Sequence, residues 1–455
     1  MSNNNDDKKC GINRRDFLRK AGAVSLAGFA GGHVFNALAG ELDPRVITAP
    51  DQPNPPTINR SFPVPGNDVR QIVQYPEKRP LIRVTSEPPQ LETPMQMLGE
   101  NPLTPNDAFF VRYHNSEIPL SIDPNTYTVA LKRHTGSAPY DPLSSTPTTL
   151  LSLKLADLRS RFKEVSIVAV NQCSGNSRAF EDPRMPGGQL GNGTVGNARW
   201  TGVLLKDVLE AAGVNASIKQ VIFNAADQQE EKGSPDFVKS IPIARAMDGE
   251  VMLAYAMNGK ELPMLNGYPL KLIVPGWFGT YWVKHVNEII LSESDDLSKI
   301  YYMSTAYRIP DNGTGYIPKG AVWPGPWKPI TTLRVRSFIT SHIDGAKIQT
   351  RKTVKVKGFA FDAGSGIKTV RLSADGGATW QNAELGENLG RYSFRMWAAS
   401  FSPPVDGVYN FQVQAIANSG ETQPTNPDLN WNPNGYLRNV VETVKVTAVS
   451  SLGGA

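Results

Sequence analysis

The strongest constraint on the fold is a change of period about two thirds of the way along the chain. Up to about residue 325, apolar runs such as "VSIVAV" (165–170) alternate with stretches of helical spacing. In "TGVLLKDVLEAAGV", Leu204, Leu205, Val208, Leu209 and Ala212 recur as one face of a helix, and Gly213 stops it. The segment "AVWPGPWKP" (321–329) is a Pro-rich break. Beyond it only period two remains: "KTVKVKGFAFD", "IKTVRLSADGGATWQNAEL", "YSFRMWAASF" and "GVYNFQVQAIANSG" alternate between Gly, Asp and Asn turns. Successive residues of a strand face opposite sides, so these segments each present one apolar face and must pack sheet on sheet.

The pattern therefore predicts an α+β chain, with a mixed α/β domain followed by an all-β immunoglobulin-like sandwich. The expected divisions are a leader over 1–39, an extended Pro-rich arm over 40–75, a catalytic domain over 76–325 and the sandwich over 326–455. Within the mixed domain, "EVMLAYAMNGKELP" reads as a hairpin turning at Asn258-Gly259, and "YPLKLIVPGW" as a buried strand.

The leader reads as an address. Arg14 and Arg15 precede Phe17, Leu18 and a mild Ala/Gly-rich stretch, with Ala37 and Ala39 as small residues for cleavage. An ordinary signal or an amphipathic helix would also carry basic residues. The weak, Gly-rich apolar region instead favours twin-arginine export to the periplasm, and it is too polar for a membrane span. Without residues 1–39 the chain keeps 41 bases and 39 acids, a balance that gives no footprint for nucleic acid. Removal of the leader also removes Cys10, leaving Cys173 as the single thiol. A solitary cysteine in an oxidising compartment is an inert buried residue, a nucleophile or a metal ligand. No histidine is paired with it by spacing. No haem-attachment motif or cysteine cluster is present, so any further electron carrier belongs to a partner.

Five blocks resemble, in order and spacing, the sulfite oxidase family of molybdopterin enzymes: "FFVRYH" (109–114), "NQCSGNSR" (171–178), "GNARWTGVLLKDVLEAAGV" (196–214), "IPIARAMDGEVMLAYAMNGKELP" (241–263) and "GYPLKLIVPGWFGTYWVKHV" (267–286). Within it the chain looks most like bacterial periplasmic sulfite dehydrogenases. The resemblance implies oxidation of sulfite to sulfate at a single molybdenum–molybdopterin, a c-type cytochrome acceptor and a homodimer formed through the last domain. It implies Cys173 as the molybdenum ligand, Arg112 and Arg178 as the arginines that hold the oxyanion, and Tyr307 as the pocket tyrosine. It places cofactor contacts on Phe110, Val111, Arg112, Tyr113, His114, Asp227, Asn266, Lys271, Trp282, Val283 and Lys284. Lysines suit a phosphate and Asp227 suits a pterin edge; guanidinium offers oxyanions a rigid, permanently charged fork.

Two departures stand out. Leu190 occupies the place of a frequent pocket Trp, and Asn266 that of a cofactor histidine. The surrounding "MPGGQLGNGTVGN" reads as pocket lining. The Leu190 change keeps open a sulfane-type dehydrogenase or a sulfoxide reductase with the same cofactor. A periplasmic binding module is the reading without catalysis.

Overall fold

A computed structural model describes residues 57–59, 69–229 and 234–452. The leader and most of the Pro-rich arm lie outside these residues. Three sheets form the first part of the chain. Thr57–Asn59, Val69–Val73, Leu81–Thr85, Gln90–Glu92 and Val111–Arg112 make an antiparallel sheet in sequence order. Val69–Val73 therefore lies within the stretch that shows no alternation; it is held by pairing with Leu81–Thr85 through Ile72 and Ile82.

The second sheet runs Lys239–Pro242, Gln220–Ala225, Val286–Ser292, Thr128–His134, Thr148–Lys154, with one parallel pair between Val286–Ser292 and Thr128–His134. The third pairs Glu164–Gln172 with Val195–Leu204 along its full length, followed by Met252–Met257 and Lys260–Glu261. Asn258 and Gly259 take φ of 52° and 75° at the hairpin, the geometry a two-residue turn of this kind requires. Leu205–Ala211 is the expected helix, with Leu204 closing the strand before it and Gly213 at φ 77° after it. The "YPLKLIVPGW" strand is short, Lys271–Ile273, because Pro275 and Gly276 turn the chain towards Leu333, whose N–H bonds the Gly276 carbonyl.

Glu164–Gln172 begins half-exposed and ends fully buried, which delivers the residue after it, Cys173, to the interior. Trp200, fully buried, anchors the same layer: its indole N–H donates to the Ala169 carbonyl at 3.0 Å, and its ring meets Phe109 and Trp282 edge-on.

The last part is all-β. Arg336–Ile339, Val354–Phe361, Arg395–Phe401 and Glu384–Leu385 form one sheet; Ala346–Gln349, Thr443–Val449, Gly407–Ala417, Ile367–Ser373 and Gln381–Asn382 form the other. Val356 and Trp397 from the first pack on Phe411, Val413 and Val446 from the second. Each such side chain contributes about 1.5–3 kcal/mol by leaving water. The two parts are joined by a buried ionic cluster. Arg336 donates to Glu442 at 2.9 Å and to the Ser177 hydroxyl at 2.8 Å; Arg438 pairs with Glu181 and Glu442.

Candidate active site

A cavity opens where the first and third sheets meet the loops after Gln172 and before Val286. Of the sequence-predicted residues, Phe110, Arg112, Tyr113, His114, Cys173, Asp227, Asn266, Lys271, Trp282, Lys284 and Tyr307 line it. Val111 and Val283 do not; both are buried in the core.

One set of lining groups is cationic. Lys271, at the start of its strand, meets only ring faces among the described residues: Trp200 at 4.8 Å and Trp282 at 6.0 Å. Lys284 lies 3.8 Å over the Tyr113 ring and donates to the Arg112 carbonyl. Behind them Lys78 donates to the Asn106 and Phe109 carbonyls and to Asn266 Oδ1, while Asn266 Nδ2 donates to the Phe110 carbonyl. Burial pushes Lys78 down to about 7 and Lys284 to about 8, against partial restoration by Asp107 and Asp227 respectively. Lys271 is driven well below its ordinary value by burial and by Lys284 and Lys78. Asp227, the one carboxylate lining the cavity among the described residues, is pushed up to about 6 by burial although Lys284 opposes the shift; Asn115 holds it at 3.1 Å.

The other set gathers with Cys173. The thiol is 7% exposed; its N–H donates to the Thr194 carbonyl at 2.9 Å. Arg112 Nη2 lies 3.5 Å from His114 Nδ1, and His114 Nε2 is hydrogen-bonded to the Tyr307 hydroxyl. Arg112 and His114 thus share a side, as alternation requires. A guanidinium only donates, so Nδ1 is the acceptor and Nε2 carries the proton that Tyr307 oxygen receives. The phenolic proton is left for the cavity. His114 is held neutral, well below its usual range, by burial and by Arg112, Lys284, Lys239 and Arg178. Burial raises the Tyr307 hydroxyl far above its ordinary value, with Arg112 opposing, so it stays a donor. Phe237 stacks on His114 at 4.3 Å and Tyr302 flanks it at 4.9 Å. Tyr307 and His285 have φ of 59° and 53°, left-handed conformations that bulky residues hold only under constraint. A second Tyr–His pair lies deeper: Tyr113 hydroxyl meets His285 Nε2 at 2.7 Å, and His285 Nδ1 meets the Tyr268 carbonyl at 2.6 Å.

Two features sit back from the cavity wall. Arg178 is not among the residues lining the cavity. It is buried behind it, with Nη1 donating to the Gly188 carbonyl and Nε to the Asn434 carbonyl, each at 3.2 Å. The Gly-rich loop around Leu190 does not line it either. Leu190 is 1% exposed in the core, and the loop's small residues serve close contacts: a Cβ on Gly187 would meet Arg178 Nη1 at 2.8 Å. Lys78, Lys239 and Phe237 went unnoticed in the sequence. Lys78 stands in the charged run Glu77–Lys78–Arg79 and Lys239 alone in its segment, and nothing local marks either as buried.

The donor set fits a phosphorylated pterin. Buried Lys271 and half-buried Lys284 and Arg112 face a single carboxylate among the described lining residues, and an anion would offset their desolvation. Arg112 Nε, Asn171 Oδ1 and Thr280 Oγ1, all on lining residues, have no partner among the described residues. No group of three His, Cys, Asp or Glu side chains comes together among those residues, so a metal at Cys173 would need its remaining ligands from outside the chain, as a pterin dithiolene provides.

Comparison with known proteins agrees. Residues 117–300 match the oxidoreductase molybdopterin binding domain, and 327–449 the Mo-co oxidoreductase dimerisation domain. Mitochondrial sulfite oxidase of Rattus norvegicus is 31% identical over 438 residues, covering 92% of this chain and 73% of that protein. The chain belongs to the sulfite oxidase family. Sulfite oxidase of Arabidopsis thaliana is 30% identical, over 80% of this chain and 93% of the plant protein. Among solved structures, the sulfane dehydrogenase SoxCD from Paracoccus pantotrophus superposes with a TM-score of 0.63 at 25% identity, over 82% of this chain and 87% of that one. As a sulfite oxidase family member the protein is a molybdenum oxidoreductase.

Proposed function

We propose that the protein oxidises sulfite to sulfate in the periplasm and hands the electrons to a c-type cytochrome. The observation that carries this reading is the Arg112–His114–Tyr307 array lining one cavity with Cys173: a fixed positive charge, a neutral imidazole and a phenol that stays protonated. That set suits a small, doubly charged oxyanion. Cys173 would hold molybdenum as a thiolate, and the cationic set would hold the pterin phosphate. Bound molybdenum would supply two-electron oxygen-transfer chemistry that no side chain can. The chain's own part is positioning and charge. Arg112 orients and neutralises the anion; Tyr307 donates to an oxygen; Phe237 and Tyr302 exclude water around His114, which stays uncharged and keeps Tyr307 aimed.

Twin-arginine export supports the compartment, since that route carries folded, cofactor-loaded proteins. No helix among the described residues is long and apolar enough to cross a membrane. The terminal sandwich is read as immunoglobulin-like, and its match to a dimerisation domain supports a homodimer. Residues 76–325 and 326–455 are read as the catalytic and dimerisation units.

Steady-state turnover with sulfite and ferricytochrome c, with molybdenum measured on the same sample, tests the proposal. Turnover with about one molybdenum per chain is expected. A second reading, oxidation of a sulfane sulfur, draws on the likeness to SoxCD. A molybdenum-replete protein inert to sulfite but active on a carrier-bound sulfane would favour it.

A further inference from the structure

The buried Arg178 and the strained Tyr307 come from separate elements of the first domain, yet one ring touches both. Tyr436, on the long connection between Gly407–Ala417 and Thr443–Val449 of the second domain, stacks on Tyr307 with centroids 5.5 Å apart and planes at 13°. The Arg178 guanidinium carbon lies 4.9 Å from the centre of the same Tyr436 ring. The residues just before Tyr436 reinforce the grip. The Asn434 carbonyl accepts from Arg178 Nε at 3.2 Å, and its side-chain amide donates to the Arg308 carbonyl, next to Tyr307, at 2.9 Å. Gly435, at φ 64°, permits this approach: a Cβ there would sit 2.7 Å from Arg178 Cγ.

We infer that Tyr436 is a positioning residue for oxyanion recognition, a spacer from the second domain that fixes Tyr307 and Arg178 relative to each other. It lies outside the residues lining the cavity, so it acts through its two neighbours. Tyr307 holds an unfavourable backbone conformation and needs surroundings that over-determine it; a flat ring parallel to its own supplies that without adding charge. Arg178 lies close enough to His114 and Tyr307 to act on both electrostatically, and the ring face beneath its guanidinium fixes that distance. The inference rests on the oxyanion reading proposed above.

The test uses purified holoenzyme and inorganic sulfate, the product anion, with equilibrium binding measured by calorimetry beside sulfite kinetics. Tyr436→Leu removes the ring but keeps bulk; the sulfate dissociation constant and the sulfite KM should both rise about tenfold, the combined loss of one stacking and one cation–π contact. Molybdenum content and melting temperature should stay close to the parent's, and kcat should change less than KM. Tyr436→Phe keeps the ring and should restore both constants to within about threefold of the parent. A folded, molybdenum-replete Tyr436→Leu protein with parental sulfate affinity overturns the inference. A Tyr436→Phe protein that loses sulfate affinity about tenfold also overturns it, because the ring would then not be the acting group; this arm holds even if the Leu variant does not fold. A parent enzyme that neither binds sulfate nor turns over sulfite overturns the oxyanion reading itself.

Discussion

The molecule buries two sets of cations and treats them in opposite ways. At the junction of the two domains, Arg336 and Arg438 are almost fully buried but face Glu442 and Glu181, with Ser177 completing the set. Around the cavity, Lys271, Lys284 and Arg112 share one carboxylate, Asp227, among the described lining residues, and Lys271 meets only indole faces among them. The paired set satisfies itself and joins two bodies. The under-compensated set is costly to the isolated chain and repays that cost only when an anion enters. A buried charge without a counter-ion therefore marks a binding site more reliably than a buried charge as such.

Several substitutions test that contrast. The largest effect falls on Cys173: Cys173→Ser should abolish sulfite turnover while the melting temperature stays near the parent's, and an active, molybdenum-replete serine protein would sink the ligand assignment. In the paired set, Glu442→Gln should destabilise the protein by about 4 kcal/mol by stripping Arg336 of its counter-charge. Denaturant unfolding measures this, and a loss below about 1 kcal/mol would mean the cluster is well solvated.

In the under-compensated set the sign reverses. Lys271→Met should stabilise cofactor-free protein by about 2–3 kcal/mol while lowering its retained molybdenum. The Lys271 pKa is depressed in the folded chain, so its charge costs stability most fully below that depressed value. The cost fades as pH rises towards the ordinary lysine value of 10.5. The gain from Lys271→Met should shrink over the same interval; a gain that grows with pH would contradict the assignment.

The smallest effect concerns Asp227, whose carboxyl titrates near about 6 against an ordinary 3.8. Its ionised form is penalised in the folded state, so the penalty is absent below the ordinary value and complete above the raised one. The stability difference between Asp227→Asn and the parent, without cofactor, should grow in favour of Asn by on the order of 2 kcal/mol as pH rises through that interval. Melting curves at intervals of half a pH unit resolve it; a flat difference would show that Lys284 fully compensates the carboxylate.

Much of this was legible in the sequence where the information is local. Alternation marked the strands of the sandwich, helical spacing marked Leu205–Ala211, and the apolar run before Cys173 marked a strand entering the core. The family blocks located most of the cavity lining. What escaped was set by long-range packing. Lys78 reaches Asn266 across 188 positions and Tyr436 reaches Tyr307 across the domain junction, with no local pattern to announce either. The glycines near Leu190 looked like a ligand cradle because small residues signal close approach without saying to what. Here the approaching groups are the protein's own: Arg178 at Gly187, Gln90 at Gly188, Glu92 at Gly191 and Thr93 at Gly193.

The two tyrosine–histidine pairs differ in one respect that decides what each can do. His285 Nδ1 faces a carbonyl and must spend its proton there, so Nε2 receives the hydrogen of Tyr113 and that phenol is spoken for. His114 Nδ1 faces a guanidinium, so the flow is inverted and Tyr307 keeps its hydrogen free. Two chemically identical couples are thus wired in opposite polarity by whatever stands at the far nitrogen. Arg112, usually considered for its charge, is also the switch setting that leaves one phenol in this enzyme able to give.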